Sequence, residues 1–211
     1  MALYIDLSKA FDSINRDLLD KVLTASGMPS NVVMILKDLY QENTGTIHGN
    51  NGNSHNVNIN CGIRQECPLS PTLFKIFLSY ALNSIQDKLP KGVAVAIEKF
   101  INMILYADDI VLLQYSDSEL QEAVNLIKEI FSKFGLQINI KKTKSQILCK
   151  SSTGSSELII KAGDDTFEQV HVFTYLGHEI SDETVEDSND GYSYRISVAR
   201  CKLSQMQHSQ I

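Results

Sequence analysis

The sequence predicts an α+β fold, a small antiparallel sheet with helices packed on one face. Three observations carry this. Short apolar runs rich in β-branched residues alternate with longer segments whose apolar residues recur at helical spacing. Several runs come in pairs around tight turns, which makes their pairing antiparallel. The 211 residues, 43% of them hydrophobic, suffice for the core of one or two domains.

Residues 2–6 form a first strand that ends on Asp6. From Ile14 to Ser26, apolar residues at 14, 18, 19, 22 and 23 make one helical stripe, with Ser13 or Asn15 as cap and Gly27 as stop. Pro29-Ser30 opens a second helix, whose Val32, Val33, Ile35, Leu36, Leu39 and Tyr40 are expected to face the core. Thr46–His48 and Val57–Ile59 read as a hairpin around Asn50-Asn51-Gly52. Gly62 to Ser70 is a turn-rich loop. Ser70 caps the helix that follows, Pro71 is its first residue, and Leu73, Phe74, Ile76, Phe77, Tyr80, Ala81 and Ile85 form its buried face.

After Pro90-Lys91-Gly92 come a strand at Val93–Ile97 and a hairpin from Ile101 to Leu113. Ser116 or Asp117 caps a helix to Phe134, with Leu120, Val124, Ile127, Ile130, Phe131 and Phe134 inward and Gly135 as terminator. Leu136–Ile140 and Ser145–Cys149 flank a lysine-rich turn, and residues 151–156 make a flexible Ser/Gly tip. Leu158–Lys161 and Phe167–Val170 are short strands around Ala162-Gly163-Asp164-Asp165, an ordinary Gly-Asp turn to which no chemistry is assigned. The expected division is a body over 1–181, an acidic linker at 182–190, and a helix within 191–211, from Tyr192 to Gln207.

The net charge is −6, and Asp182, Glu183, Glu186, Asp187 and Asp190 carry most of it. Lys141, Lys142, Lys144 and Lys150 form one basic cluster; Arg195, Arg200 and Lys202 form another. Each reads equally as a phosphate-binding track or as a solvated face. No apolar run approaches the roughly 18 residues of a membrane span, and no charged-then-apolar signal segment opens the chain. An intracellular protein without membrane contact is expected. Cys61, Cys67, Cys149 and Cys201 lack the close pairs of a zinc site and read as free thiols. His48, His55, His171, His178 and His208 show no ligand spacing.

Chemistry is suggested by two acidic anchors. In Ile101–Leu113 the pair Asp108-Asp109 sits between two strand-length apolar runs. A strand passing through both carboxylates would bury one without a partner at a cost of several kcal/mol; a turn leaves them at the rim of a sheet. An Asp-rich turn without function remains the alternative. The second anchor, Asp6, also ends a strand, and neighbouring strands would bring the two anchors together. Carboxylates so placed can hold two Mg²⁺ ions that activate an attacking oxygen and stabilise a leaving one in phosphoryl transfer.

Five segments extend this reading: Tyr4–Ser13 (YIDLSKAFDS), Gly62–Phe74 (GIRQECPLSPTLF), Tyr106–Val111 (YADDIV), Gly135–Lys144 (GLQINIKKTK) and Phe173–Ser181 (FTYLGHEIS). In that order and spacing they resemble motifs A to E of the reverse transcriptases of non-LTR (LINE-type) retrotransposons, over about residues 2 to 181. The resemblance implies a right-hand polymerase palm with truncated fingers and thumb, and RNA-directed DNA synthesis with two Mg²⁺ ions, Mn²⁺ being an alternative. Its partners would be an RNA template, a DNA primer and a deoxynucleoside triphosphate, and its place of action the nucleus. Asp6, Asp108 and Asp109 would be the catalytic, metal-binding triad, with the Leu7 carbonyl completing part of a metal shell. Phe11 would be the steric gate against a 2′-hydroxyl, although alone it reads as a core aromatic, and Asp12 reads as a cap or a partner of Lys9. Arg64 and Gln65 would line the nucleotide pocket. Lys142 would neutralise or protonate the pyrophosphate, and Tyr175, Leu176 and Gly177 would form the primer grip.

Two departures qualify the resemblance. The family has glycine where this chain has Glu66. Two like charges about 4 Å apart at an effective dielectric near 20 repel by about 4 kcal/mol, roughly a thousandfold in rate or affinity, so Glu66 is expected to impair nucleotide binding. The chain also begins almost on motif A, as a piece of a longer or decayed element would. The expectation is therefore a reverse transcriptase fragment that does not synthesise DNA by itself, or a non-catalytic remnant that at most binds nucleic acid. A palm-type nucleotidyl cyclase is disfavoured, because the sequence lacks a Gly-Gly-acidic hairpin.

Overall fold

The first strand, β1 (Ala2–Ile5), is apolar at every position, and a strand with that pattern needs cover on both faces. In the computed structural model, which describes residues 1–41, 44–48, 54–148 and 157–181, it has that cover. The helices α1 (Arg16–Ala25), α2 (Ser30–Tyr40), α3 (Ser70–Asn83) and α4 (Asp117–Phe134) have the sequence-predicted positions. Asn15 caps α1 by accepting from the Leu18 N–H, Ser116 caps α4 by accepting from Glu119, and Gly135 ends α4 in the left-handed conformation at φ 72°.

Between the helices lie the hairpin β2 (Thr44–His48) with β3 (Ser54–Asn58), the hairpin β4 (Val93–Ala96) with β5 (Lys99–Ile101), and the hairpin β6 (Met103–Tyr106) with β7 (Asp109–Leu113). After α4 come β8 (Lys144–Gln146), β9 (Lys161–Ala162), β10 (Asp165–Thr166), β11 (Glu168–Gln169), β12 (Val172–Tyr175) and β13 (His178–Ser181). The main sheet has the order β11-β8-β1-β7-β6. It is antiparallel except at one edge, where β11 runs parallel to β8, because the chain crosses back through the β9–β10 hairpin beside α4.

Leu3 and Ile5 of β1, with Ile110 and Leu112 of β7, face the helices and join Phe74, Phe77, Leu120, Ile127 and Phe131 in the main core. The alternate residues Ala2, Tyr4, Val111 and Leu113 face the other way, against Tyr175 and Ile180 of β12 and β13. The helices therefore cover one face, as expected, and a hairpin covers the other.

Several local expectations fail for physical reasons. Ser70 does not cap α3; it is the first helical residue, fully buried, and its hydroxyl donates to the Arg64 carbonyl. Of the α2 stripe only Val33, Leu36 and Tyr40 are buried, while Ile35 is 63% exposed with Val32 and Leu39 beside it on the solvent side. Tyr80 is exposed at the edge of the α3 stripe, and Leu78 and Leu82 are buried in its place. The run from Ile101 to Tyr106 breaks at Asn102, whose carbonyl accepts from Leu113 and whose amide donates to Pro90, so β5 and β6 belong to different sheets. Leu136–Ile140 makes one bridge, Leu7 to Ile138, instead of a strand. The 151–156 tip, Lys150, Cys149, the acidic linker, the C-terminal helix with its basic residues, Cys201 and His208 lie outside the described residues.

Candidate active site

The pairing of β1 with β7 sets Ile5 opposite Ile110. Continued one residue further out, that register puts Asp6 opposite Asp109, and strand alternation puts both on the face covered by β12–β13. Both are half-buried, and Asp108 is exposed on the two-residue turn between Tyr106 and Asp109. Ala107 takes φ 53° there, the left-handed backbone that tight hairpin turns demand. Turn and register thus bring the two anchors to one end of the sheet. Among the described residues, however, no three His, Cys, Asp or Glu side chains converge into a ready-made metal cage. Two adjacent carboxylates still fit Mg²⁺, which is commonly held by one or two carboxylates together with waters and substrate phosphates.

The backbone around Asp6 is clamped by the segment after α4. Asp6 donates its N–H to the Thr143 hydroxyl (3.2 Å) and accepts from the Asn139 N–H (2.8 Å), while Ser8 donates to Gln137 (2.8 Å). Because Asp6 and Ser8 make these bonds, the Leu7 carbonyl turns to the opposite edge, towards β7. Between Asn139 and Thr143 the chain makes a helical turn, closed by Thr143 donating to the Asn139 carbonyl, and this turn carries Lys141 and Lys142 exposed beside Asp6. Lys144 does not extend that basic surface: its ammonium is held by the Lys141 carbonyl and the Glu168 carboxylate.

A second loop crosses the strand end. Gly62 donates to the Ile14 carbonyl (2.8 Å) and Ile63 to that of Phe11 (2.9 Å). A Cβ at Gly62, which sits at φ +80°, would lie 2.9 Å from the Asp12 backbone. The Gln65 amide donates to the Asp12 carboxylate (2.9 Å), so Asp12 serves Gln65, which replaces the expected pairing with Lys9. Phe11 is half-buried with its ring stacked on Phe74, centroids 5.0 Å apart. Glu66, exposed, takes φ 60°. Cys67, in the turn three residues before α3, has its thiol pKa lowered, first by the hydrogen bond from the Leu69 backbone.

Tyr175, Leu176 and Gly177 form the tip of the β12–β13 hairpin, with Tyr175 opposite His178. Leu176 at φ 48° and Gly177 at φ 79° make a two-residue turn of the kind that twists with the strands. Tyr175 is buried against Tyr4, and burial, followed by the negative charge of Asp109, pushes its hydroxyl pKa far up. The hairpin is tied down by Gln146, which accepts from the Tyr4 hydroxyl (2.8 Å) and donates to the carbonyls of His171 and Ile180 (2.9 Å each).

Gln146, Thr143 and Arg16 were not singled out by sequence. Arg16 carried a signal nonetheless: a cation in the first turn of a helix opposes the helix dipole, so it needs other partners. It has them. Its guanidinium donates to the carbonyls of Gly62 (2.8 Å), Ile59 (2.8 Å), Tyr40 (2.9 Å) and Cys61 (3.2 Å).

A sequence profile described as reverse transcriptase (RNA-dependent DNA polymerase) matches residues 1–180. The chain belongs to that family. It is 28% identical over 198 residues to a retrovirus-related Pol polyprotein from type-1 retrotransposable element R2 of Bradysia coprophila, covering 87% of this chain and 22% of that protein. Against the corresponding polyprotein from type-2 retrotransposable element R2DM of Drosophila melanogaster it is 29% identical over 138 residues, or 65% of this chain and 13% of the relative. The chain thus spans less than a quarter of the length of these relatives, which are long polyproteins. Among solved structures, telomerase from Candida albicans, in complex with a fragment of telomeric RNA, shares the fold. Its TM-score is 0.58 at 15% identity over 85% of this chain and 29% of that one. The resemblance drawn from the five segments is borne out at the level of the family, a retrotransposon reverse transcriptase whose family activity is RNA-directed DNA polymerisation.

Proposed function

We propose that this chain is the palm of a right-hand polymerase, part of a longer retrotransposon polyprotein, and that Asp6, Asp108 and Asp109 hold its divalent cations. The observation that carries this is the β1–β7 register, which sets Asp6 beside Asp109 while Asn139 and Thr143 clamp the backbone of Asp6. Bound there, Mg²⁺ or Mn²⁺ would acidify a primer 3′-hydroxyl and offset the charge on a departing pyrophosphate. The reaction joins the primer 3′-oxygen to the α-phosphorus of a deoxynucleoside triphosphate and breaks its bond to the β-phosphate bridge oxygen. In this arrangement Lys142 sits on the turn beside Asp6, free to give a proton or a positive charge to the leaving group. Phe11 and Gln65 bound the nucleotide, and the Tyr175–Gly177 tip bears on the primer end. RNA as template and DNA as primer are part of the same proposal.

Primer extension on an RNA template with Mg²⁺ tests it, comparing the chain with Asp108→Ala and Glu66→Gly. Extension that the aspartate variant abolishes, a loss of several orders of magnitude, supports a working palm. One observation favours a second reading: Glu66, a carboxylate on the loop that carries Gln65, suits a non-catalytic remnant that at most binds nucleic acid. A folded chain that extends nothing in any version, yet retains RNA on a filter, decides for it.

A further inference from the structure

We infer that Arg16 and Asp12 are positioning residues for the nucleotide pocket, setting the loop that presents Gln65, a role that rests on the reading of function above. The argument starts from where the loop gets its shape. Residues 59–65 lie outside every strand and helix, so their backbone groups need other partners. Four carbonyls, those of Tyr40, Ile59, Cys61 and Gly62, converge on the one guanidinium of Arg16, whose carbon also lies 5.1 Å from the centre of the Tyr40 ring. A planar fork of five donors can serve four carbonyls at once; an ammonium on a flexible stem cannot. Arg16 therefore determines where the chain leaves the end of α2 and the β2–β3 hairpin and where it arrives at Gly62.

At Gly62 the loop docks on the segment after Asp6. The Gly62 and Ile63 amides bond to Ile14 and Phe11, and the Asp12 carboxylate takes the Gln65 amide. Phe11, Asp12 and Arg16 lie on one stretch that begins five residues after Asp6, at Phe11. The same stretch thus carries the sugar-facing ring, fixes Gln65, and holds the incoming loop. Among the described residues the exposed Gln65 side chain is held by one hydrogen bond, the one to Asp12. Displacement of this loop would alter nucleotide binding with little effect on the carboxylates at the β1–β7 end.

The test uses the whole chain, ¹⁵N-labelled, with Arg16→Lys, Asp12→Ala and Asp12→Asn. The Gln65 side-chain amide is read by NMR, and KM for the deoxynucleoside triphosphate and kcat are read from primer extension. Expected is a Gln65 amide that shifts to the solvent position in Arg16→Lys and Asp12→Ala and stays in place in Asp12→Asn, which keeps an acceptor oxygen. KM should rise by about tenfold or more in the first two variants with kcat within about twofold, and Asp12→Asn should restore it. A Gln65 amide unmoved in Arg16→Lys overturns the inference whatever the activity. So does a moved amide with unchanged KM, which would leave Arg16 a purely structural residue. No extension by the unsubstituted chain overturns the functional reading instead, and the Gln65 amide still decides whether Arg16 and Asp12 set the loop.

Discussion

Glu66 and Gly62 sit four residues apart on one loop, both with positive φ, and their demands differ. Glu66 at φ 60° pays the left-handed strain of a side chain, about 1–2 kcal/mol. Glycine would remove that strain but add unfolded-state freedom worth about 0.4–1 kcal/mol, so Glu66→Gly should gain under about 1.5 kcal/mol in urea unfolding. The charge effect is larger, about 4 kcal/mol at close range. Glu66→Gln separates the two: it keeps the strain and removes the charge. If nucleotide affinity rises in Glu66→Gly but not in Glu66→Gln, backbone shape and not charge is what the glutamate disturbs. At Gly62 the problem is space as well as φ, because the added methyl would meet the Asp12 backbone at 2.9 Å. Backbone cannot swing aside, so Gly62→Ala should cost more than about 2 kcal/mol by strain and overpacking together. An urea midpoint equal to that of the unsubstituted chain would refute that close approach.

Among the elements, the β12–β13 hairpin depends on one amide. Gln146 is fully buried, and its three hydrogen bonds reach Tyr4 on the sheet and two carbonyls of the hairpin segment. Gln146→Leu keeps the volume but strands those groups at about 1–3 kcal/mol each before any rearrangement; we expect a loss of at least about 2 kcal/mol. Amide hydrogen exchange should quicken through 172–181 first, and equal acceleration in α4 would contradict a local role. Lys144→Ala, by contrast, breaks an ion pair whose Glu168 side is 68% exposed and should cost under about 1 kcal/mol. These differences explain what was legible in the sequence. The hairpins β2–β3 and β6–β7, the capped ends of α1 and α4 and the strand β1 follow from local pattern, because turn chemistry and alternation act within a few residues. The β4–β5 and β12–β13 hairpins were not read from the sequence. The clamp on Asp6, the Gln146 anchor and the Gln65–Asp12 bond join residues far apart in sequence and leave no periodic trace. Leu136–Ile140 alternates like a strand, yet its partner, β1, continues into the Asp6 loop and gives it a single bridge. The apolar stripe of α2 is wider than the surface it packs against, so Ile35 ends in solvent.

Among the described residues, the sheet has thick cover on one side and thin cover on the other. Four helices back the face of Leu3 and Ile5, whereas Tyr4 and Val111 are covered mainly by one hairpin through Tyr175 and Ile180. Alkaline pH should therefore attack the thin side, because Tyr175 must stay neutral to remain buried beside Asp109. The sign follows from linkage. The folded-state pKa lies above the unfolded value of about 10, so the stabilisation is fully present below pH 10 and is lost as pH climbs through the interval up to the folded value. One unit above 10, the unfolded state has released a proton that the folded state retains, which costs no more than about 1.4 kcal/mol. Tyr175→Phe keeps the ring and removes the ionisation, so its stability should fall less between pH 9 and pH 11 than that of the unsubstituted chain. Urea unfolding at both pH values measures the difference. A parallel fall in the two proteins would mean that Tyr175 ionises without leaving the hairpin, and that the thin side is not where the fold yields.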